Sequence, residues 1–136
     1  MKWYGITGSW RVTSRQVESD VRATVRDIIS QENGIVTGGA LNVDWFAVDE
    51  AMKLNETCDQ IKICLPVEFE TYIKHYHMRA LEGVISDSQA DQLERQLRDI
   101  WRINRDSIID RVGEKIVDRE SYFEMCIRDS STCVGK

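Results

Sequence analysis

Two short glycine-bearing segments carry the residues best suited to holding an anion. The first is Gly5-Ile6-Thr7-Gly8-Ser9-Trp10-Arg11; the second is Thr37-Gly38-Gly39-Ala40, running on to Asp44. Gly8 permits close backbone approach, Ser9 supplies a hydroxyl donor and Arg11 a cation, while Gly38, Gly39 and Ala40 offer a second small-residue surface. Each segment follows a β-type run and precedes a helical one. In an open parallel sheet such turns sit at the carboxyl ends of the strands, where main-chain amides and the positive ends of helix dipoles face one crevice. One glycine turn alone is as well explained by chain reversal. Two at one sheet edge, one of them with a serine and an arginine, predict a phosphate or nucleotide site. The expected ligand-binding set is Gly8, Ser9, Trp10, Arg11, Gly38, Gly39, Ala40 and Asp44; no catalytic residue is identifiable.

Several of these residues have two readings. Asp44 stands near a helix start, where it could bind a ribose hydroxyl, complement the helix N-terminus or hold Arg11. Trp10 and Trp45 flank the two loops and could stack on a base, although packing in the core or at an interface is the commoner use of tryptophan. Tyr72, Tyr76 and Arg79 share a helical face and could close over a ligand or pack on the sheet. His75 and His77 are two apart on a helix and point to different sides, a poor metal pair. No metal and no cofactor are expected.

The elements that must position these loops follow from pattern. Trp3–Thr7 reads as a first strand. Thr13 or Ser14 opens a helix, with Thr13 and Gln16 spaced as a capping box, and Val17, Val21, Val25, Ile28 and Ile29 recur at helical spacing. Gly34–Thr37 is a second strand, and Asn42 can cap a second helix whose apolar face is Val43, Phe46, Ala47, Ala51 and Leu54. Residues 60–66 form a third strand, Ile61, Ile63 and Leu65 alternating with Lys62 and Cys64. Phe69–Leu81 is helical up to Gly83. Ser86 and Gln89 make a second capping box, and a long amphipathic helix follows with Leu93, Leu97, Ile100, Trp101 and Ile108 on one stripe. Strand–helix alternation of this kind predicts an α/β fold, a Rossmann-like open parallel sheet of three readable strands with flanking helices.

The chain has 136 residues, enough for one domain, with a net charge of −5 and 30% charged residues. The acidic balance disfavours broad contact with nucleic-acid phosphates, which depends on Lys and Arg. Arg95, Arg98, Arg102, Arg105 and Arg111 could form a basic strip, but they alternate with Glu94, Asp99, Asp106 and Asp110, as salt-bridged surface does. The four cysteines lack zinc-site spacing, and Cys64 reads as a small core residue. No membrane span or signal peptide is readable, which predicts a cytoplasmic protein.

The loops also resemble a family. Gly8-Ser9-Trp10-Arg11, followed by Gly34-Ile-Val-Thr-Gly-Gly-Ala-Leu-Asn-Val-Asp44 and by Ala47, Glu50 and Ala51, is similar to the SLOG superfamily. That group includes the DprA/Smf DNA-processing proteins and the LOG phosphoribohydrolases. Trp10 is an extra residue before the arginine, and Asn42 stands where the pattern prefers glycine; asparagine is the next most tolerant residue for a left-handed backbone. The likeness covers roughly residues 4–66. Residues 72–123 look like a bacterial, prophage-associated branch of the same superfamily. The resemblance implies binding of a nucleotide or nucleotide-derived small molecule, with a homo-oligomer left open. Phosphoribohydrolase-type cleavage of an N-glycosidic bond and DprA-like binding of single-stranded DNA are the alternatives. The LOG-type Pro-Gly-Gly-x-Gly-Thr-x-x-Glu is absent, so hydrolysis does not follow from the resemblance.

Met125-Cys126-Ile127-Arg128-Asp129-Ser130 is the peptide that a common sequencing-library transposon end encodes in one frame. The expected organisation is therefore an incomplete domain over residues 1–124 and a non-native tail over 125–136, with a short disordered C-terminus as the alternative. An incomplete sheet would leave Trp3–Thr7 unpaired on one side and residues 114–117 without the sheet they should cover.

Overall fold

A computed structural model describes residues 1–10, 13–110 and, for the backbone alone, 132–135. Its sheet is built from β1 (Trp3–Thr7), β2 (Gly34–Thr37), β3 (Ile61–Cys64), β4 (Ile108–Ile109) and β5 (Thr132–Gly135), in the order β4-β3-β2-β1-β5 and parallel throughout. The helices are α1 (Arg15–Ser30), α2 (Val43–Leu54), α3 (Phe69–Leu81) and α4 (Asp87–Ile103). This is the expected α/β, Rossmann-like architecture.

Side-chain alternation along the strands separates two faces. Ile6, Ile35, Ile61 and Ile63 join Val21, Val25, Ala47, Val48, Tyr72, Leu93, Leu97 and Ile100 in one core, so all four helices contribute to the same cluster. The opposite face holds a smaller cluster of Val36 and Cys64 with Trp3 against it. The Trp3 ring occupies the space a Gly34 side chain would take, and the Lys62 ammonium lies 4.3 Å from the ring centroid. Cys64 is fully buried, as a small core residue should be.

Local signals set most boundaries. Ser14 caps α1 by accepting from Val17 N–H at 3.1 Å. The alternative box from Thr13 does not form, and the Gln16 amide donates to Asp20 instead. Ser86 and Gln89 make the expected reciprocal box at the start of α4. Leu54, expected on the buried face of α2, is 49% exposed at the helix end. Ile108, expected on the α4 stripe, lies beyond the helix: Asn104 turns extended (φ −149°), a single 3-10 turn follows, and Ile108–Ile109 pairs with Ile63–Cys64. The Ser107 hydroxyl, donating to the Cys58 carbonyl at 2.6 Å, anchors this turn to the loop before β3.

The expectation of an open β1 is corrected. Tyr4 to Thr7 pair with Thr132 to Gly135, placing β5 on the side of β1 opposite β2. Main-chain pairing at a parallel edge makes few demands on side chains, so a short run with β-competent residues suffices. The side chains beyond residue 124 and the stretch at 114–117 lie outside the described residues and side chains. Among the described residues no helix is long and apolar enough to cross a membrane.

Candidate functional site

Because β1 and β2 are parallel neighbours, the turns that follow them leave the same edge of the sheet. Gly8, Ser9 and Trp10 extend from β1; Gly38, Gly39, Ala40, Leu41 and Asn42 connect β2 to α2. Arg11 lies outside the described residues. The two turns are joined directly, the Asn42 side-chain amide donating to the Trp10 carbonyl oxygen. Asn42 has φ +60° and ψ −108°, a positive-φ backbone outside the left-handed helical region. It occupies the N-cap position of α2 without capping it, since its side chain is committed to Trp10.

A cleft of about 470 Å³ opens where the turns meet, lined by Trp10, Asn42, Val84, Ile85 and Gln89. That volume falls within the roughly 300–1,000 Å³ of small-molecule sites. Its far wall is the connection between α3 and α4, which the sequence had not linked to the loops. The positional signal was Gly83, at φ +80°, followed by the Ser86 capping box; together they mark a tight turn, though not what it faces. α3 brings that turn into place. Its first amide, Phe69 N–H, donates to Asp110 beyond β4 at 2.9 Å, and the Tyr72 hydroxyl reaches the carbonyls of Gly38 (3.3 Å) and Gly39 (3.1 Å) beyond β2. The turn after α3 then meets Trp10 beyond β1, so α3 crosses the carboxyl edge of the sheet.

The second turn faces inward more than a phosphate cradle would. Gly39 N–H donates to the Thr37 hydroxyl at 3.3 Å and Ala40 N–H to Asp44 Oδ2 at 3.1 Å. Asp44 is 1% exposed, and its Oδ2 closes the turn by accepting from Ala40. Gly39 has φ +73°, and an added Cβ would stand 2.9 Å from both Ile63 Cγ2 and Leu65 Cδ2. The space into which a Gly39 side chain would point is therefore filled by the core. Gly38 and Ala40 belong to the same inward-turned loop, whereas Ser9 is exposed and Trp10 half-buried at the cleft.

The remaining candidates separate clearly. Trp45 packs edge-on to Phe46, and its indole N–H donates to Gln92 of α4 at 3.4 Å, away from the cleft. Tyr72 is buried under the second turn, with Tyr76 beside it at a ring separation of 5.1 Å, while Arg79 turns to Glu82 and His75. Of the expected basic strip, Arg98, Arg102 and Arg105 pair with carboxylates, Arg95 makes no ion pair among the described residues, and Arg111 lies outside them. Burial and the neighbouring Arg79 push the His75 imidazole below its ordinary range. No family model, curated protein or solved structure matches this chain.

Proposed function

We propose that the chain binds a nucleotide or nucleotide-derived small molecule in the cleft between Trp10 and the α3–α4 turn. The observation that carries this reading is the meeting of the two turns at one sheet edge, tied through Asn42 and Trp10 beside a cavity of about 470 Å³. A base fits against the Trp10 ring and the apolar wall of Val84 and Ile85. The phosphate then faces the exposed Ser9 and the positive end of α2. The likeness of both turns to the SLOG pattern supports the same assignment.

Cleavage of an N-glycosidic bond is not part of the proposal. Among the described residues no carboxylate lines the cleft, and the Asp44 carboxylate beneath it is buried. DNA binding is disfavoured because Arg98, Arg102 and Arg105 are already neutralised by acidic partners.

The test is calorimetric titration with a panel of purine and pyrimidine nucleoside monophosphates and diphosphates, each beside its unphosphorylated nucleoside. Saturable binding that needs the phosphate is expected. Arg11→Ala is expected to weaken it by about 1.5–3 kcal/mol, the value of a charge-assisted contact. An affinity untouched by Arg11→Ala and by Asn42→Ala, or no saturable binding of any nucleotide, overturns the reading.

A further inference from the structure

α3 and α4 pack as an antiparallel pair, and their shared outer side gathers three residues able to ligate a metal. His77 comes from α3; Asp91 and Glu94, three apart and so on one helical face, come from α4. One ligand atom from each lies within 4.8 Å of the other two. His77 Nε2 stands 2.6 Å from Glu94 Oε1. Arg98 holds the other oxygen of Glu94, Oε2, at 2.7 Å, and binds Glu70 through both terminal nitrogens at 3.0 and 2.8 Å. Glu94 is thereby oriented with a single oxygen toward the imidazole. Asp91 is exposed and completes the convergence from one turn earlier on α4.

We propose that His77, Asp91 and Glu94 form a binding site for a divalent transition-metal ion such as Zn²⁺ or Co²⁺. One imidazole nitrogen with two carboxylate oxygens suits these borderline ions, which bind such atoms at about 2.0–2.2 Å. Bond lengths of that size put the ligand atoms about 3.0–3.4 Å apart in octahedral or tetrahedral geometry. The His77–Glu94 contact needs to open by under an ångström, and Asp91 to close in by a change of rotamer on an exposed helix turn. Arg98 pairs with Glu70 and Glu94 together, and Asp91 adds a further carboxylate beside Glu94. Arg98 holds the second oxygen of Glu94 and fixes its direction, the part an outer-shell partner plays in a metal centre.

His75, the histidine closer in sequence, takes no part; it turns to Arg79 and the edge of Tyr76. The site depends on a partner contributed by the next helix. It stands independently of the nucleotide reading.

Titration of the full chain with Co²⁺ near neutral pH, followed by visible absorption, tests the proposal. Expected is saturation at one equivalent, with weak d–d bands and no thiolate charge-transfer band, which separates the site from the cysteines. Asp91→Asn and His77→Gln are conservative surface changes, checked for folding by circular dichroism. Each should lower the affinity roughly a hundredfold or more, beyond the roughly 10–100-fold typical of losing an outer-shell partner. His75→Ala should leave it unchanged. Absence of a saturable spectrum at millimolar Co²⁺, a thiolate band, or indifference to both Asp91→Asn and His77→Gln overturns the assignment.

Discussion

Gly39→Ala separates a glycine required by the ligand from one required by the core. Two costs act on the variant. The backbone at φ +73° is left-handed, which costs an L-residue about 1–2 kcal/mol. The new methyl group also arrives 2.9 Å from Ile63 Cγ2 and Leu65 Cδ2, and both residues are 0% exposed, so neither can swing into solvent. Overpacking of that kind costs about 1–3 kcal/mol. The sum, about 2–5 kcal/mol, is a large fraction of the roughly 5–15 kcal/mol that holds an ordinary domain together. Gly83→Ala is the matched control, because Gly83 has φ +80° but nothing within 4 Å of an added Cβ. It should lose the backbone part alone, about 1–2 kcal/mol. Urea unfolding of both variants beside the parent chain reads the difference directly, and Gly39→Ala should unfold at the lower urea concentration by an extra 1–3 kcal/mol or so. Equal losses in the two variants would refute the packing argument. A Gly39→Ala protein of parental stability that no longer binds nucleotide would return Gly39 to the ligand site.

Stability should fall in acid through Glu50. Burial pushes its carboxyl up, but hydrogen bonds from Arg22 and Arg26 outweigh this and hold it below the ordinary carboxylate range. A depressed folded-state value means that the stabilisation is present above the unfolded value of roughly 4.3 and is lost as pH drops through the folded one. Unfolding midpoints measured from pH 6 downward should decline in that window, and Glu50→Gln should flatten part of the decline; an unchanged slope would remove Glu50 from the linkage. Ser86→Ala removes the hydroxyl that accepts from Gln89 N–H at 3.1 Å and should cost about 1 kcal/mol of stability, measured by denaturant unfolding. Parental stability in that variant would show the capping box to be dispensable.

What could be read in advance depended on how local its cause was. The alternation of Ile61, Ile63 and Leu65 against Lys62 and Cys64 is written within five residues, and the strand is where it says. The box of Ser86 and Gln89 is equally local and formed as expected. β4 was hidden because Ile108 stands seven residues after Trp101 and so continues a helical stripe. What breaks the helix is Asn104 and Ser107 reaching the Cys58 carbonyl, contacts that span 46 and 49 residues. Asn42 illustrates the same limit: its type predicts a helix cap, yet a carbonyl 32 residues earlier claims its side chain. For the site, strand order was enough to place both turns at one edge. The direction in which Gly39 lacks a side chain depends on the sign of its φ and on the depth of Ile63 and Leu65 beneath it. Neither is written in Gly-Gly. Val84 and Ile85 were invisible as cleft residues because α3 carries them across the sheet edge.

The hydroxyl of Tyr72, shared between the carbonyls of Gly38 and Gly39, has a dynamic consequence. It couples the second turn to a helix, so the turn cannot fluctuate on its own over picoseconds to nanoseconds as most surface loops do. The amides of Gly39 and Ala40, already engaged with Thr37 and Asp44, should exchange with solvent deuterium only when α3 itself lifts. A ligand arriving at the cleft then meets a floor that is already ordered. It forfeits little entropy in organising that surface.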